Sequence, residues 1–189
     1  HIPDEISTSS QIEQNCFRFE CKSKITLQVS VLSTPLFRFR YAIKGDYEND
    51  FSYAIDENYE PTETEIQFEE DEDGYKLATK ALNCFISKNG MKVKITDLEG
   101  NVICQDDKGF SAKSSILKGI NKVSISKKTT KKEAFFGLGD KSSTLNLRGQ
   151  KFENWNTDSF LYDEKTDPLY RAIPFYYGLK NGIGYGVFM

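Results

Sequence analysis

The sequence predicts an all-β protein, an antiparallel β-sandwich, and three observations support this. Apolar and polar side chains alternate over runs of strand length, as in residues 17–21 and 25–31. No stretch sustains the apolar period of about 3.6 residues that marks an amphipathic helix. The chain also has 14 Phe and 10 Tyr in 189 residues, and aromatic side chains favour strands. Short strands separated by regular turn signals are typical of two packed antiparallel sheets.

The amino-terminal part predicts a leading arm followed by a meander. Residues 1–14 are polar and unpatterned, so we assign them to an arm and residues 15–189 to the sandwich domain. Gaps such as residues 33–35 are short enough to join antiparallel neighbours. Arg38 and Arg40 share one face of the third strand and could bind an anion, but exposed strand-face arginines are the favoured interpretation.

Two charged segments follow. Residues 56–73 are strongly acidic, but their spacing matches no EF-hand loop, and a solvated turn between strands is expected instead of a calcium site. Residues 109–132 carry scattered lysines, Lys118 among them, with Val123 and Ile125 interleaved, which predicts an edge strand with lysines facing water. No stacking aromatic lies between these lysines and the net charge is −3, so no nucleic-acid partner is expected.

The predicted strands are residues 15–21, 25–32, 36–43, 75–87, 92–96, 102–104, 122–126, 134–137 and 183–189. The predicted inward positions are Phe17, Phe19, Leu27, Val29, Phe37, Phe39, Phe136 and Val187.

Composition indicates a globular protein, with 38% hydrophobic and 28% charged residues. No apolar run approaches the length of a bilayer span and no signal peptide is visible, so no membrane partner is expected. The first residue is His1, so the amino end does not define a compartment, and we favour the cytoplasm over a periplasmic or secreted location. The cysteines lack metal-ligand spacing, so we predict buried free thiols and no metal or cofactor, with a disulfide as the alternative in an exported protein. They are Cys16, Cys21, Cys84 and Cys104.

Residues 133–189 organise the chain. An apolar strand runs into a glycine-broken turn at FFGLGDK, and the aperiodic loop that follows contains NWNTD, rich in amides, a carboxylate and an aromatic ring. At residues 182–187 glycine alternates with Ile, Tyr and Val, which predicts a strand whose glycine face is approached closely. A β scaffold presents a ligand-contacting loop in this way. The apolar final strand predicts that the natural domain continues beyond Met189.

The motifs FGLGDK, LNLRG, WNTD, YDEKTDPLY and IPFYYGL, in that order, resemble the N-terminal domain of glycoside hydrolase family 31, the α-glucosidase family. The resemblance is specific over residues 134–188 and rests only on the strand pattern over residues 12–110. One departure is Asp140, where the family usually has a glutamate, and the shorter side chain reduces its reach.

The resemblance implies a galactose-mutarotase-like sandwich that precedes a catalytic (β/α)8 barrel. It implies a retaining hydrolase acting on terminal α-linked glucose of oligosaccharides, with an Asp nucleophile and an Asp acid/base on the barrel. No segment of this sequence alternates strand and helix, so the chain lacks that catalytic pair and is expected to be inactive alone.

The substrate-binding residues that the resemblance implies are Asp158, Trp155 and Phe160. The Asp of the matching motif lies on a loop that closes over the barrel mouth, where it accepts hydrogen bonds from sugar hydroxyls. Trp155 and Phe160 offer flat apolar faces suited to pyranose rings. The alternative is that Asp158 caps a turn and Trp155 fills the core.

Neighbouring charged residues favour structural roles. Asp163, Glu164 and Asp167 fit an ordered surface loop better than an acid/base pair. Arg148 is expected to pair with a loop carboxylate. Two rival functions remain for the whole chain: a stand-alone carbohydrate-binding sandwich without catalysis, and a structural sandwich that mediates protein contacts.

Overall fold

The computed structural model of the chain describes residues 1–45, 47, 51–53, 55–56, 58–115 and 119–189. Those residues form thirteen strands and no helix, which confirms the all-β prediction. None of them therefore forms a helix long and apolar enough to cross a bilayer. The chain divides into two compact units, His1–Lys128 and Thr129–Met189, whereas the sequence assigns residues 15–189 to a single sandwich domain.

The first unit contains ten strands in two antiparallel sheets, with strand orders β1-β2-β3-β4 and β10-β9-β8-β7-β6-β5. The strands are β1 Ile6–Glu13, β2 Cys16–Cys21, β3 Ile25–Ser33, β4 Leu36–Ile43, β5 Gln67–Glu70, β6 Gly74–Ala78, β7 Leu82–Ser87, β8 Val93–Asp97, β9 Val102–Ser115 and β10 Gly119–Lys127. Each strand pairs with a neighbour in sequence, as short connections require.

The two sheets bury one apolar cluster between them. Alternate residues of β2 and β3 point into it, and Phe17, Phe19, Leu27 and Val29 are at most 2% exposed. Tyr75, Leu77, Cys84, Ile86 and Val93 enter the same cluster from the other sheet. Each fully buried large apolar side chain contributes about 1.5–3 kcal/mol. This packing confirms the sandwich and four predicted inward positions, while Phe37 and Phe39 cover its margin half-buried.

The amino end differs from the predicted arm. Residues 6–13 form strand β1, which pairs antiparallel with β2. Ile6 is 7% exposed and packs into the core, and its backbone N–H donates to the carbonyl of Lys88 at 2.8 Å. The rest of β1 is mostly exposed and polar, with Ile12 as its one other apolar residue, so its sequence lacks the alternation that identifies a half-buried strand.

The acidic segment also contains a strand, β5, where the sequence predicts only a solvated turn. Phe68 anchors it, with its ring stacked 5.2 Å from that of Phe17 and 6.0 Å from that of Tyr75. Glu69 pairs with Lys76 on the neighbouring strand at 3.2 Å. A single aromatic residue therefore recruits a carboxylate-rich segment to the edge of the sheet.

Two further strand predictions concern residues 75–87 and the basic segment. Residues 75–87 form two strands, because the Thr79 hydroxyl accepts the backbone N–H groups of Ala81 and Leu82 and closes a turn between β6 and β7. Strand β10 lies at the sheet edge, as the lysine pattern predicts. Lys118, in the same basic segment, lies outside the described residues.

Cys16, Cys21 and Cys84 are buried free thiols, as predicted, whereas Cys104 is only half-buried. Burial, followed by the negative charge of Asp4, raises the pKa of the Cys21 thiol to about 11. Burial likewise raises the pKa of the Cys84 thiol well above its usual range. Both side chains therefore stay protonated near neutral pH and act as small apolar core residues.

The second unit is a three-stranded antiparallel sheet with β12 in the centre. Its strands are β11 Ala134–Gly139, β12 Ala172–Lys180 and β13 Ile183–Phe188. The sequence analysis missed β12, because Pro174 argues against a central strand. Phe136 and Val187, predicted to point inward, are half-buried here and belong to neither core cluster of the first unit.

The glycine turn of β11 is needed for its close approach to β12. Gly137 and Gly139 both have positive φ, 110° and 81°. A Cβ on Gly139 would lie 2.2 Å from the carbonyl oxygen of Arg171, which is backbone and cannot turn aside. Close approach also occurs at Gly186 of β13, where an added Cβ would lie 2.8 Å from the Phe175 ring. At Gly184 nothing lies within 4 Å, so the predicted close approach holds for only part of that glycine face.

Alanine substitutions at three glycines should rank by these contacts. Gly139→Ala should destabilise the second unit by about 3 kcal/mol or more, since it combines a disfavoured φ with a backbone clash. Gly182→Ala, with a φ of 78° and open space around it, should cost about 1–2 kcal/mol. Gly184→Ala is the matched control and should change stability by less than about 1 kcal/mol. Thermal unfolding of the three variants tests this order, and equal losses would contradict it.

Candidate functional site

The predicted site residues lie on the long connection between β11 and β12, residues 140–171. An ion pair and a backbone hydrogen bond close its two ends. The Asp140 N–H donates to the Arg171 carbonyl at 2.8 Å, and Arg171 Nε donates to Asp140 Oδ2 at 2.9 Å. The shorter carboxylate at position 140 therefore still reaches a partner. Because the Arg171 side chain is 79% exposed, the ion pair itself adds little stability.

A second closure lies inside the loop and is centred on Lys141. Its ammonium group donates to Asp167 Oδ1 at 3.0 Å and to the Glu153 carbonyl at 2.7 Å. The other Asp167 carboxylate oxygen accepts the backbone N–H of Glu153. The Lys141 side chain is only 4% exposed, and its Nζ lies 5.6 Å from the centre of the Phe152 ring. We call Lys141, Glu153 and Asp167 the lysine clamp, and residues 154–166, which the clamp brackets, the inner loop.

The first part of the inner loop runs beside the chain that re-enters β12. Asn156 Oδ1 accepts the Ala172 N–H at 2.7 Å, and the Thr157 N–H donates to the Leu169 carbonyl at 3.0 Å. The Ser159 carbonyl accepts the Tyr170 hydroxyl at 2.6 Å. These contacts fix the backbone on either side of Asp158.

The three predicted sugar-contacting residues are exposed on this framework. Trp155 is 67% and Phe160 is 87% exposed, and Asp158 is also exposed. Among the described residues, none hydrogen-bonds to or pairs with the Asp158 carboxylate, and its side chain caps no turn. The two rings and the carboxylate are therefore left free by the chain itself, and the structural alternative of a core tryptophan and a capping aspartate does not describe them.

Two of the other loop carboxylates, those of Asp163 and Asp167, accept hydrogen bonds within the loop. Asp163 Oδ1 accepts the Lys165 N–H at 2.9 Å and the Thr166 hydroxyl at 2.8 Å. The hydrogen bond from the Lys165 backbone, followed by that from Thr166, lowers the pKa of Asp163. Asp167 belongs to the lysine clamp, and Glu164 is exposed without a side-chain partner among the described residues. The order of the loop thus rests on Asp163 and Asp167.

The prediction for Arg148 is wrong. Its Nη1 donates to the backbone carbonyl of Glu133 at 2.9 Å, and its guanidinium lies 6.0 Å from the centre of the Phe135 ring, instead of pairing with a loop carboxylate. A backbone oxygen and an aromatic ring therefore hold this guanidinium in place of the predicted carboxylate.

Sequence reasoning also missed a buried carboxylate, Glu133, which is 1% exposed. Its Oε1 accepts the Tyr185 hydroxyl at 2.6 Å and lies 3.9 Å from the Lys180 ammonium, while its Oε2 accepts the Thr130 N–H at 2.7 Å. These contacts link β11, β12 and β13 at one end of the sheet. The only sign of this carboxylate in the sequence is a charged residue directly before an apolar strand, and charged residues are common at strand boundaries.

One face of the three-stranded sheet is apolar and exposed. Cross-strand partners share a face of the sheet. Tyr177 of β12 is paired with Phe136 of β11 and with Gly186 of β13, so these three residues lie on one face. The Phe136 and Tyr177 rings stack with centres 5.1 Å apart. The exposed members are between 38% and 51% exposed. We call them the apolar sheet face: Ile173, Phe175, Tyr177, Leu179 and Phe188.

Within the described residues the architecture contains no catalytic barrel. All the paired strands run antiparallel and no helix separates them, so no βαβ unit is present. No three His, Cys, Asp or Glu side chains in that part of the chain converge to hold a metal ion. The exposed side chains of the inner loop are the groups of this arrangement that are available for contacts with another molecule.

Residues 26–189 match the glycosyl hydrolase 31 N-terminal galactose mutarotase-like domain. Alpha-glucosidase 2 of Bacillus thermoamyloliquefaciens is 24% identical over 176 residues, which is 93% of this chain and 22% of that protein. An alpha-glucosidase of Saccharolobus solfataricus is 34% identical over 74 residues, 39% of this chain and 11% of that protein. The chain therefore spans about a fifth or less of the length of these relatives.

Solved structures agree with the fold. A dextranase of glycoside hydrolase family 31 from Flavobacterium johnsoniae, complexed with isomaltotriose, superimposes with a TM-score of 0.84 and 25% identity. The match covers 94% of this chain and 21% of the dextranase. The cycloalternan-forming enzyme of Listeria monocytogenes has the same fold, with a TM-score of 0.77 and 16% identity over 94% of this chain and 17% of the enzyme.

Removing the Thr166 hydroxyl should raise the pKa of Asp163. A lowered carboxyl pKa means that the ionised form favours the folded loop, so this stabilisation exists above the unfolded pKa and is lost as the pH falls through the folded pKa. Thr166→Val deletes one of the two bonds to Oδ1, so the Asp163 pKa should move up towards its usual value. NMR titration of the Asp163 carboxyl measures it. Thr64→Val, in the first unit, is the control, and an unchanged Asp163 pKa in Thr166→Val would refute the assignment.

Proposed function

The chain belongs to the glycosyl hydrolase 31 N-terminal galactose mutarotase-like domain family, and we propose that it is the N-terminal part of a retaining α-glucosidase that acts on terminal α-linked glucose of oligosaccharides. In this proposal the chain supports the catalytic barrel and supplies the inner loop to the active site. The observation that carries the proposal is the exposed Asp158 carboxylate, which has no partner among the described residues and is flanked in sequence by the exposed rings of Trp155 and Phe160.

The chemistry of these side chains suits a sugar. An ionised carboxylate accepts hydrogen bonds from hydroxyls more strongly than a neutral acceptor does, and pyranose rings have apolar faces that pack on aromatic rings. Asp158 lies between two backbone segments that hydrogen bonds hold in place, so little ordering entropy is lost when a ligand binds. Asp158 would thus bind hydroxyls of the terminal glucose, with Trp155 and Phe160 packing on the rings.

The catalytic barrel is the partner that this role requires. Retaining hydrolysis needs two carboxyl groups on either side of one glycosidic bond. The resemblance assigns both to the barrel, and the Bacillus α-glucosidase and the dextranase are each more than about four times as long as this chain. The apolar sheet face is a further argument for a large partner that covers it, because five neighbouring exposed apolar side chains are costly to leave in water.

The names of relatives that are similar to this chain favour an α-glucoside as substrate. Two are named alpha-glucosidases, and the dextranase is complexed with isomaltotriose. These names describe those proteins, and for this chain the terminal α-linked glucose remains part of the proposal.

Replacing Asp158 in the assembled enzyme should reduce catalysis without unfolding the domain. A hydrogen bond to a charged group contributes about 1.5–3 kcal/mol, so Asp158→Ala should lower kcat/KM roughly ten- to a hundredfold. Asp158→Asn should recover part of the loss, because the amide oxygen still accepts a hydrogen bond but carries no charge. Steady-state kinetics on an α-glucoside, with melting temperatures of the same variants, provide the measurement.

Glu164→Ala is the matched control, since Glu164 is an exposed carboxylate on the same loop without a side-chain partner among the described residues. It should leave both kcat/KM and the melting temperature close to those of the parent enzyme. An Asp158→Ala enzyme with normal kinetics and a lowered melting temperature would overturn the proposed role of the loop.

The isolated 189-residue chain should be catalytically silent. It offers binding groups on the inner loop but no barrel carboxylates to attack or protonate a glycosidic bond. Incubation of the purified chain with a chromogenic α-glucoside, beside the full-length enzyme, tests this expectation. Turnover by the chain at even about a hundredth of the full-length rate would contradict it, because binding groups alone do not supply the nucleophile and acid.

A further inference from the structure

We propose that Lys141 is a positioning residue for the sugar-contacting side chains, acting through the lysine clamp at the base of the inner loop. The inference rests on the proposed function, because it assigns Lys141 a role in the same reaction. Lys141 itself lies outside the inner loop, and its ammonium group is committed to Glu153 and Asp167.

The clamp joins the two ends of the inner loop. Glu153 and Asp167 are the residues directly before and after residues 154–166, and Lys141 Nζ contacts both, at 2.7 and 3.0 Å. Asp167 adds a direct bond to the Glu153 N–H, so the three residues form a closed hydrogen-bonded ring. The inner loop has the length of a compact surface loop, about 6–16 residues, whose ends are held together. The clamp therefore holds together the two points at which the inner loop begins and ends.

Burial makes this contact stronger than an ordinary surface ion pair. The Lys141 side chain is 4% exposed and that of Asp167 is 20% exposed, whereas most lysines in the chain's ion pairs are more exposed. A buried ammonium without partners would cost several kcal/mol, so both groups are held where their bonds are satisfied. Losing either partner leaves the other charge poorly compensated, and the loop ends can then separate.

The loop's other polar contacts do not involve Glu153. Asn156 and Thr157 bond to Ala172 and Leu169, Ser159 bonds to Pro168, and Ser142 bonds to the carbonyl of Asp163. Without Lys141, Glu153 keeps only its bond to Asp167 among the contacts of the described residues. Catalytic geometry tolerates little displacement, since a misplacement of about 1 Å can reduce rates up to a hundredfold. A loosened clamp would therefore be felt at Asp158.

The chain offers a direct probe of loop order. Trp155 is its single tryptophan and lies in the inner loop. Lys141→Met keeps the length of the side chain but removes its charge, and it should increase nanosecond motion of the Trp155 ring. Time-resolved fluorescence anisotropy of the 189-residue chain measures this motion. Lys76→Met, which removes an ion pair with Glu69 in the first unit, is the control and should leave the Trp155 anisotropy decay unchanged.

The decisive test is a double-mutant cycle in the full-length enzyme. Lys141→Met should lower kcat/KM about three- to tenfold by displacing Asp158. If Lys141 acts through Asp158, the same change in an Asp158→Ala background should cost less than about twofold, because the group it positions is already gone. Asp167→Asn, which keeps the side-chain size, is the second variant, and it provides the test if Lys141→Met does not fold. Its effect on kcat/KM should depend on Asp158 in the same way.

The outcomes separate the two claims. Asp158→Ala with normal kcat/KM overturns the proposed function and the positioning role with it. An impaired Asp158→Ala enzyme in which Lys141→Met and Asp167→Asn keep their full separate effects leaves the proposed function standing and overturns the positioning role. Unchanged Trp155 anisotropy in Lys141→Met also overturns it. The positioning role is supported if Lys141→Met increases the motion of the Trp155 ring and if its effect on kcat/KM is not additive with that of Asp158→Ala.

Discussion

The cost of burying a charge determines how residues 129–189 are organised. Glu133 and Lys141 are both removed from water, and each is stable only because its hydrogen-bonding capacity is used. Glu133 gathers a hydroxyl, a backbone N–H and an ammonium group, and so holds three strands at one end of the sheet. Lys141 holds the two ends of the inner loop. A small sheet without a large apolar interior thus gains a definite geometry from two satisfied charges.

Alternating aromatic residues and glycines complete that geometry. On β12 and β13 a ring from one strand lies over a glycine of the other, Phe175 over Gly186 and Tyr185 over Gly178. The ring covers backbone that a side chain would otherwise shield, and the glycine makes room for the ring. The glycines of β11 act differently, since they let its backbone approach that of β12. One residue type thus serves two kinds of close approach in one sheet.

The sequence predicted the sandwich because its core strands alternate cleanly, as at Phe17, Phe19, Leu27 and Val29. It failed where tertiary contacts outweigh local pattern. Strand β1 is polar apart from Ile6 and Ile12, the ring of Phe68 anchors β5, and β12 contains a proline. At the site, the motifs predicted which side chains would be exposed on the loop. They could not predict the lysine clamp, because Lys141, Glu153 and Asp167 are far apart in sequence and each resembles an ordinary surface charge.

The division between carboxylates that the chain uses and carboxylates that it leaves free supports the proposal that Asp158 contacts a ligand. Asp140, Asp163 and Asp167 all accept hydrogen bonds from the chain, and each of these bonds orders the backbone of the connection. Asp158 lies within the same connection and orders nothing in it. A carboxylate serving stability would be expected to share the pattern of its neighbours. Glu164 is also exposed without a side-chain partner among the described residues, so exposure alone does not distinguish Asp158 from it. The proposal for Asp158 rests in addition on its place in the WNTD motif and on the exposed rings of Trp155 and Phe160, which lie on either side of it in sequence.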